Sequence, residues 1–391
     1  MKIGITMIVS DRAEELERAI KSVDGFYDYL SICLVKYNKM TARSLTGKRY
    51  AKCREVAKKY NAIISEYKVR EDWKYKFIDD FSTPRNMAID ALPDDTDWVF
   101  ILDSDDEMQE PKVCRLLVEE LEQPSMVLVS IGADVEKDMI STSPQRSRTK
   151  SLLQMRMWSK GIARYKGRIH EVPIYDSEKV GTVSVPEIVL IHKPNEHQKH
   201  NDRNVLLLDD VIKSGDYTAR ELFYYAETMY ITANQRNKGW EKMEKGAVNL
   251  LEQLTLDPDL GAAIYKVYCY LADAAINAAL TKKGDFDKAV EYIMTALQVS
   301  QLYPEPYYLM GKVLYLADRS TYSIGWFRQA VEMPHTISIW HSSKSFKRSL
   351  PAENLAFVYQ ELGDMERAIR YHTLARAMDK RLEINDERFG I

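Results

Sequence analysis

The feature that most constrains this chain is a change of rhythm near residue 200. Before it, short apolar runs alternate with amphipathic segments. After it, the short runs give way to long helical patterns rich in Ala, Leu and Tyr. The short runs are "KIGITMIV", "SICLVKY", "AIISEYK", "WVFILD" and "MVLVSIGA". Leu16, Ala19, Ile20 and Val23 recur at i, i+3, i+4 and i+7, one face of a helix. Strand–helix alternation predicts a mostly parallel sheet with helices packed on it. Ligands of such sheets bind beyond the carboxyl ends of the strands. A chain of 391 residues is too long for one core. We therefore expect an α/β domain over 1–200 and an all-α domain over 201–391.

The second half contains an internal repeat. "GDFDKAVEY" begins at Gly284 and "GDMERAIRY" at Gly363. Both read Gly-Asp-x-acid-base-Ala-aliphatic-x-Tyr, and they lie more than two periods of about 34 residues apart. A unit between them places Gly311, Ile324, Trp326, Ala330 and Pro334 in a tetratricopeptide pattern, with Ile324 one period after Val290 and Ala330 one period after Ala296. The excess is "HTISIWHSSKSFK", read as an insertion on one face of the stack. Each helix pair has an apolar face that only stacking buries, and the stack curves into a concave surface that binds chains. A protein or peptide partner is the expectation for this arm, with stabilisation or homodimer formation as its other use.

Composition removes several classes. The formal net charge is −3, so no overall basic field draws the chain to nucleic acid or to an anionic membrane. No apolar stretch approaches the roughly 20 residues of a membrane span. "MKIGITMIVSDRAEE" reads as a first strand, since its apolar run is short, ends in charges and lacks a small-residue cleavage site. The four cysteines are scattered without a Cys-x-x-Cys pair, which suits free thiols in a reducing cytoplasm. There is no Gly-x-Gly-x-x-Gly after the first strand, no Walker loop and no Gly-x-Ser-x-Gly elbow.

Four segments carry candidate chemistry. "FILDSDDEM", residues 100–108, puts Asp103, Asp105 and Asp106 after an apolar run, either as a metal and phosphate clamp or as a solvated turn. "DDFSTPRNMAIDAL" offers Thr83 as a helix cap and Pro84 in the first turn, so that Arg85 and Asn86 sit at a helix N-terminus suited to an anion. "MRMWSKGIARYKGRIHEVP" sets Lys160, Arg164, Lys166 and Arg168 among glycines and ends in His170 and Glu171. Such a loop suits a diphosphate, and a carboxylate after it suits proton acceptance; a hairpin with charged outer residues is the plainer alternative. In "VLIHKPNEHQKH", His192 ends an apolar run. The spacing of His192, His197 and His200 fits no closed zinc site, whereas one His beside an Asp pair suits Mg²⁺ or Mn²⁺.

In order, "MIVSDRAEELERAIKSV", "DFSTPRN", "WVFILDSDDE", "YKGRIHE", "LIHK" and the repeats resemble family-2 GT-A glycosyltransferases with a fused tetratricopeptide arm. The resemblance covers nearly the whole chain. It implies a GT-A nucleotide-sugar-binding domain, a nucleotide-sugar donor (usually a UDP-sugar) and a divalent cation, Mn²⁺ or Mg²⁺. It implies that Asp103 and Asp105 hold the metal, with Asp103 also serving the ribose and Asp106 assisting. Ile8, Ser10, Asp80, Arg85, Asn86, Ser104, Lys166 and Arg168 would line the nucleotide-sugar site. Glu171 would be the base, with His170 beside it touching metal or diphosphate. His192 would match the fold's C-terminal metal histidine. Many relatives carry an Asp after the second strand. Here that place reads Lys36-Tyr37-Asn38, so the base contact shifts to Asp80 or the nucleotide differs. The expected reaction is inverting sugar transfer to a protein or peptide side chain. A glycan, a lipid-linked acceptor and modified DNA are the other acceptors. A nucleotidyltransferase, and a scaffold with a vestigial transferase domain, are the rival classes.

Overall fold

The computed structural model describes residues 1–37, 44–75, 77–133, 152–193, 200–215, 217, 219–236, 261–282, 284–333 and 349–378. The chain divides into two compact units, Met1–Leu207 and Leu208–Ile391. No helix among the described residues is long and apolar enough to cross a membrane.

The first unit is an α/β sheet domain. Its strands are β1 (Ile3–Val9), β2 (Tyr29–Lys36), β3 (Ile63–Lys68), β4 (Trp98–Ile101), β5 (Asp106–Met108), β6 (Ser125–Ala133), β7 (Leu152–Ser159) and β10 (Gly181–His192), in the spatial order β3-β2-β1-β4-β7-β6-β10-β5. β8 (Arg164–Lys166) and β9 (Val172–Ile174) form a separate antiparallel ribbon. The helices are α1 (Ala13–Ser22), α2 (Ser44–Lys59), α3 (Ser82–Asp90) and α4 (Pro111–Glu119), and α5 (His200–Ser214) leads out of the unit.

Alternation along the central strands builds two cores. Trp98, Phe100 and Leu102 join Ile3, Ile5 and Met7 on one face of the sheet. Val99 and Ile101 join Ile89, Leu92 and Trp158 on the other. All four residues of β4 are therefore buried, which is why its sequence is a continuous apolar run.

The sheet is mostly parallel, as expected, and is mixed by two strands that run against the rest. β7 runs antiparallel to both β4 and β6, and β5 runs antiparallel to β10. β7 escaped the reading of apolar runs because Gln154 and Arg156 interrupt it. β5 escaped because it begins inside the acidic run, where "DEM" gives no strand pattern. The pairing of β7 with β6 also contains a bulge. Val127 faces Met157 and Leu128 faces Met155, leaving Arg156 as the extra residue. Bulges re-aim side chains, and the Arg156 guanidinium at this one reaches Asp103.

Among the described residues the second unit is helical: α6 (Ala219–Arg236), α7 (Gly261–Lys282), α8 (Asp287–Val299), α9 (Pro304–Leu316), α10 (Ser320–Glu332), α11 (Leu350–Glu361) and α12 (Met365–Met378). The repeat positions read from the sequence lie in its core. Ala289, Ala296, Ala330 and Ala368 are fully buried or nearly so, where small side chains let helices approach. The "HTISIWHSSKSFK" segment and Pro334 lie outside the described residues.

Gly311 shows why the repeat keeps a glycine inside a helix. A methyl group there would lie 2.6 Å from a ring carbon of Phe327, whereas one at Gly325 would meet nothing within 4 Å. Gly311→Ala is therefore expected to destabilise the second unit by about 1–3 kcal/mol through overpacking. Gly325→Ala, inside α10, is expected to stabilise it by about 0.5–1 kcal/mol through helix propensity. Urea melts of the full chain followed at the helical transition check both signs.

Candidate functional site

The carboxyl ends of β1, β2, β4, β6 and β10 meet on one side of the sheet, and most of the candidate residues gather there. The acids of "DSDDE" separate into different roles. The amide of Asp106 donates to the Asp103 carbonyl at 3.1 Å, closing a turn, and the chain then enters β5 with Asp106 opposite His192. The Lys193 amide donates to the Asp105 carbonyl at 2.8 Å. Glu107 turns away to ion pairs with Arg18 at 2.5 Å and Lys193 at 3.0 Å. The run is therefore a sheet edge pinned to β10 rather than a solvated turn.

Asp103 is clamped. Its Oδ1 accepts from Arg85 Nη2 at 2.9 Å and its Oδ2 from Arg156 Nη1 at 2.7 Å. Burial favours its neutral form, but the two guanidiniums more than offset this and hold the carboxyl well below the usual range. Arg85 comes from α3, on the sheet face that carries Val99 and Ile101, and its Nε donates to Glu171 Oε1 at 2.7 Å. Burial opposes its positive charge, and Asp103 and Glu171 together sustain it. Arg156, delivered by the bulge in β7, also reaches Asp106 Oδ2 at 3.4 Å. Charges thus run continuously through Glu171, Arg85, Asp103, Arg156, Asp106 and His192.

Asp105, Asp106 and His192 form a cluster whose ligand-type atoms all lie within 4.8 Å of one another. Asp106 is fully buried, and its Oδ1 lies 2.9 Å from His192 Nδ1. A carboxylate on one ring nitrogen orients the imidazole and leaves the other nitrogen for a ligand. The hydrogen bond that Asp106 accepts from the protonated ring raises the His192 pKa above its ordinary value. Burial, then repulsion from Asp103, raises that of Asp105, whose carboxylate lies 4.0 Å from His192 Nδ1. Two carboxylates and an imidazole suit a hard divalent cation. Asp103 does not join this cluster, because both of its oxygens serve arginines; Asp106 takes the place expected for it. His197 and the side chain of His200 lie outside the described residues.

The remaining candidates divide into site and scaffold. Ser10, at the end of β1, donates to Asp11 Oδ1 and accepts from the Tyr37 hydroxyl, both at 3.0 Å. Ile8 precedes it on β1 and is partly covered. Ser104 lies in the acidic turn. His170 adopts a left-handed backbone (φ 53°) in the bend that delivers Glu171. Asp80, and not Thr83, caps α3: it accepts from the Thr83 amide at 3.2 Å and from its hydroxyl at 2.6 Å. Asn86 exchanges two hydrogen bonds with the Tyr165 backbone, at 2.9 and 3.0 Å, which fastens α3 to β8 and occupies the amide expected to touch the nucleotide. Arg168 donates twice to the Asp79 carbonyl at 3.1 Å, and Lys166 is exposed on β8. Lys160 caps the carbonyls of Leu92 and Pro93, and Arg164 pairs with Asp90 at 2.7 Å, so neither belongs to a diphosphate loop.

Sequence reasoning missed Arg156 and Arg203. Gln154 and Arg156, two positions apart and polar within an apolar run, were the available signal for the first. Nothing in the pattern marked Arg203, which packs over the Phe81 ring at 5.4 Å.

No family model matches the chain, and no curated protein matches it. Solved structures do match, over about half of the chain. A thermophilic tetratricopeptide protein of Thermus thermophilus is 14% identical with a TM-score of 0.37, covering 49% of this chain and 89% of its own. MamA is 13% identical with a TM-score of 0.32, covering 48% and 96%. Pseudomonas aeruginosa pilF is 16% identical with a TM-score of 0.33, covering 47% and 70%. These likenesses are to helical-repeat proteins and carry nothing about activity.

Arg156→Met leaves Asp103 and Asp106 facing each other without their shared cation, and is expected to cost the first unit about 3 kcal/mol in urea melts. The pH dependence has two limbs. The depressed pKa of Asp103 gives stabilisation that is complete above the unfolded carboxylate value and is lost as pH falls below about 4. The raised pKa of His192 gives stabilisation that is complete below its unfolded value of about 6.5 and is lost as pH rises through the folded one. In chelator-treated protein, urea midpoints from pH 3 to 9 should lose the acid limb in Asp103→Asn and the neutral limb in His192→Gln.

Proposed function

We propose that this chain is a metal-dependent glycosyltransferase that moves a sugar from a nucleotide-sugar donor, with inversion, to an acceptor side chain. The observation that carries this reading is the Asp105–Asp106–His192 cluster beside the Arg85–Glu171 pair at the carboxyl ends of an α/β sheet. The sequence motifs occur in the order of family-2 GT-A enzymes, which supports the same reading.

The donor set fits Mg²⁺ or Mn²⁺, held by Asp105 and His192 with Asp106 completing or orienting the set. When bound, such a cation supplies Lewis-acid neutralisation of charge on a leaving diphosphate. The protein's own residues do the rest. Arg85 engages Oε1 of Glu171 and aims the carboxylate, so that Oε2 takes the proton from the attacking acceptor hydroxyl or thiol. Two arginines fix Asp103, and the second lone pair on each of its oxygens accepts from ribose hydroxyls. Ser10 and Tyr37, tied together at the ends of β1 and β2, frame the nucleoside end of the cleft. Lys36-Tyr37-Asn38 stands where relatives carry an acid, so the base is selected by other contacts. The helical unit suits a protein or peptide acceptor.

A panel of nucleotide sugars with Mn²⁺, read by which nucleoside diphosphate appears, tests the reading. Asp105→Asn and His192→Ala should each lower turnover about 100-fold or more, as should chelation. Glu171→Gln should lower turnover about 100-fold while donor binding stays within about threefold. Turnover that survives both chelation and Asp105→Asn would defeat the metal mechanism. Release of pyrophosphate from a nucleoside triphosphate would instead indicate a nucleotidyltransferase. Absence of metal-dependent nucleotide binding would indicate a scaffold.

A further inference from the structure

A third arginine, Arg203, has no carboxylate partner among the described residues. Arg85 is held by Glu171 and Asp103, and Arg156 by Asp103 and Asp106. Arg203, in the first turns of α5, is also partly buried. Yet among the described residues no carboxylate approaches it within the 4.0 Å of an ion pair. Its Nε donates to the side-chain oxygen of its neighbour Asn204 at 3.2 Å. Its guanidinium carbon lies 5.4 Å from the centre of the Phe81 ring, directly before α3 and Arg85. Burial, more than any neighbour, lowers its pKa from the usual arginine value, and the charges that act on it belong to Tyr37, Glu171, Arg12 and Asp105.

Two arginines in one cleft are each satisfied by two carboxylates, and the third has an amide oxygen and a ring face. A covered guanidinium without a counter-charge is costly, and such costs persist where a ligand relieves them. The identity of that ligand follows from position. Of the groups whose charges act on Arg203, Tyr37 is tied to Ser10 at the ends of β1 and β2, and Asp105 belongs to the candidate cation cluster. The anionic group that bridges a nucleoside pocket and a divalent cation is a diphosphate. A guanidinium fork matches phosphate oxygens, and Arg85 and Arg156 already spend their forks on carboxylates.

We propose that Arg203 is the metal-independent seat for the donor's diphosphate. This rests on the nucleotide-sugar reading above and adds a residue and a division of labour to it. Arg203 binds the phosphates whether or not a cation is present, and the Asp105–His192 cluster adds the cation-dependent increment.

Calorimetry with nucleoside diphosphate and nucleoside pairs (UDP and uridine, GDP and guanosine, ADP and adenosine), in EDTA and in Mn²⁺, tests this. Wild type in EDTA should prefer the diphosphate of its base over the nucleoside by about 10-fold or more, the size of a charge-assisted hydrogen bond. Arg203→Gln should bring that ratio close to one, and Arg203→Lys should restore part of it. Because an unneutralised cation is removed, the thermal midpoint of Arg203→Gln should be unchanged or higher. Asp105→Asn should keep the ratio in EDTA and lose the Mn²⁺ increment. An undiminished ratio in Arg203→Gln overturns the proposal, and so does a ratio lost only together with a lowered midpoint in both Arg203 variants. If wild type binds no diphosphate in either condition, the nucleotide-sugar reading fails and this inference fails with it. If wild type binds and only the Arg203 effect is missing, this inference alone fails.

Discussion

Asp103 suspended between Arg85 and Arg156 is the interaction on which the rest of the cleft depends. One carboxylate with both oxygens engaged, at 2.9 and 2.7 Å, fixes the ends of three separate elements: α3, β4 and β7. Each arginine then reaches a second carboxylate, Glu171 on one side and Asp106 on the other. Removing the clamp would therefore free Glu171 and Asp106 together from the arginines that hold them. Two charge-assisted hydrogen bonds, one from each guanidinium, are strong and directional enough for that task, where a single neutral hydrogen bond is not.

The backbone makes the clamp possible through two departures from a simple alternating pattern. β7 enters the sheet against the direction of its neighbours, and its bulge at Arg156 turns that side chain toward Asp103. β5 folds back from the acidic turn onto β10, which sets Asp106 opposite His192. Both place polar side chains at the carboxyl ends of the strands, where unpaired backbone ends leave room for a ligand.

Parts of this were legible beforehand and parts were not. β1, β2, β3, β4 and β6 were readable because their apolar runs are local and unbroken. The buried face of α1 was readable from its spacing, and the alanines of the helical repeat from their period. Asp105, His192, Arg85 and Glu171 were picked out by residue type and position. The assignments of Asn86, Lys160 and Arg164 to ligand binding were natural from composition, yet each is engaged with neighbouring protein groups. A basic or amide residue beside a cleft looks the same in sequence whether its partner is a ligand, a carbonyl or an aspartate on the far side of a helix.

By itself, the sequence determined the two-part organisation, the type of most elements and the segments whose charged side chains gather. Those depend on periodicity, turn residues and repeats, which act over a few residues or one repeat length. Only the tertiary structure decided which acid meets which cation. Asp103 and Arg156 are 53 positions apart, and Arg85 and Glu171 are 86 apart, as are Asp106 and His192. Whether such charges meet depends on strand order, register and one bulge. A shift of a single residue sends each side chain to the opposite face of the sheet, so residue type alone left "DSDDE" readable as either a clamp or a turn.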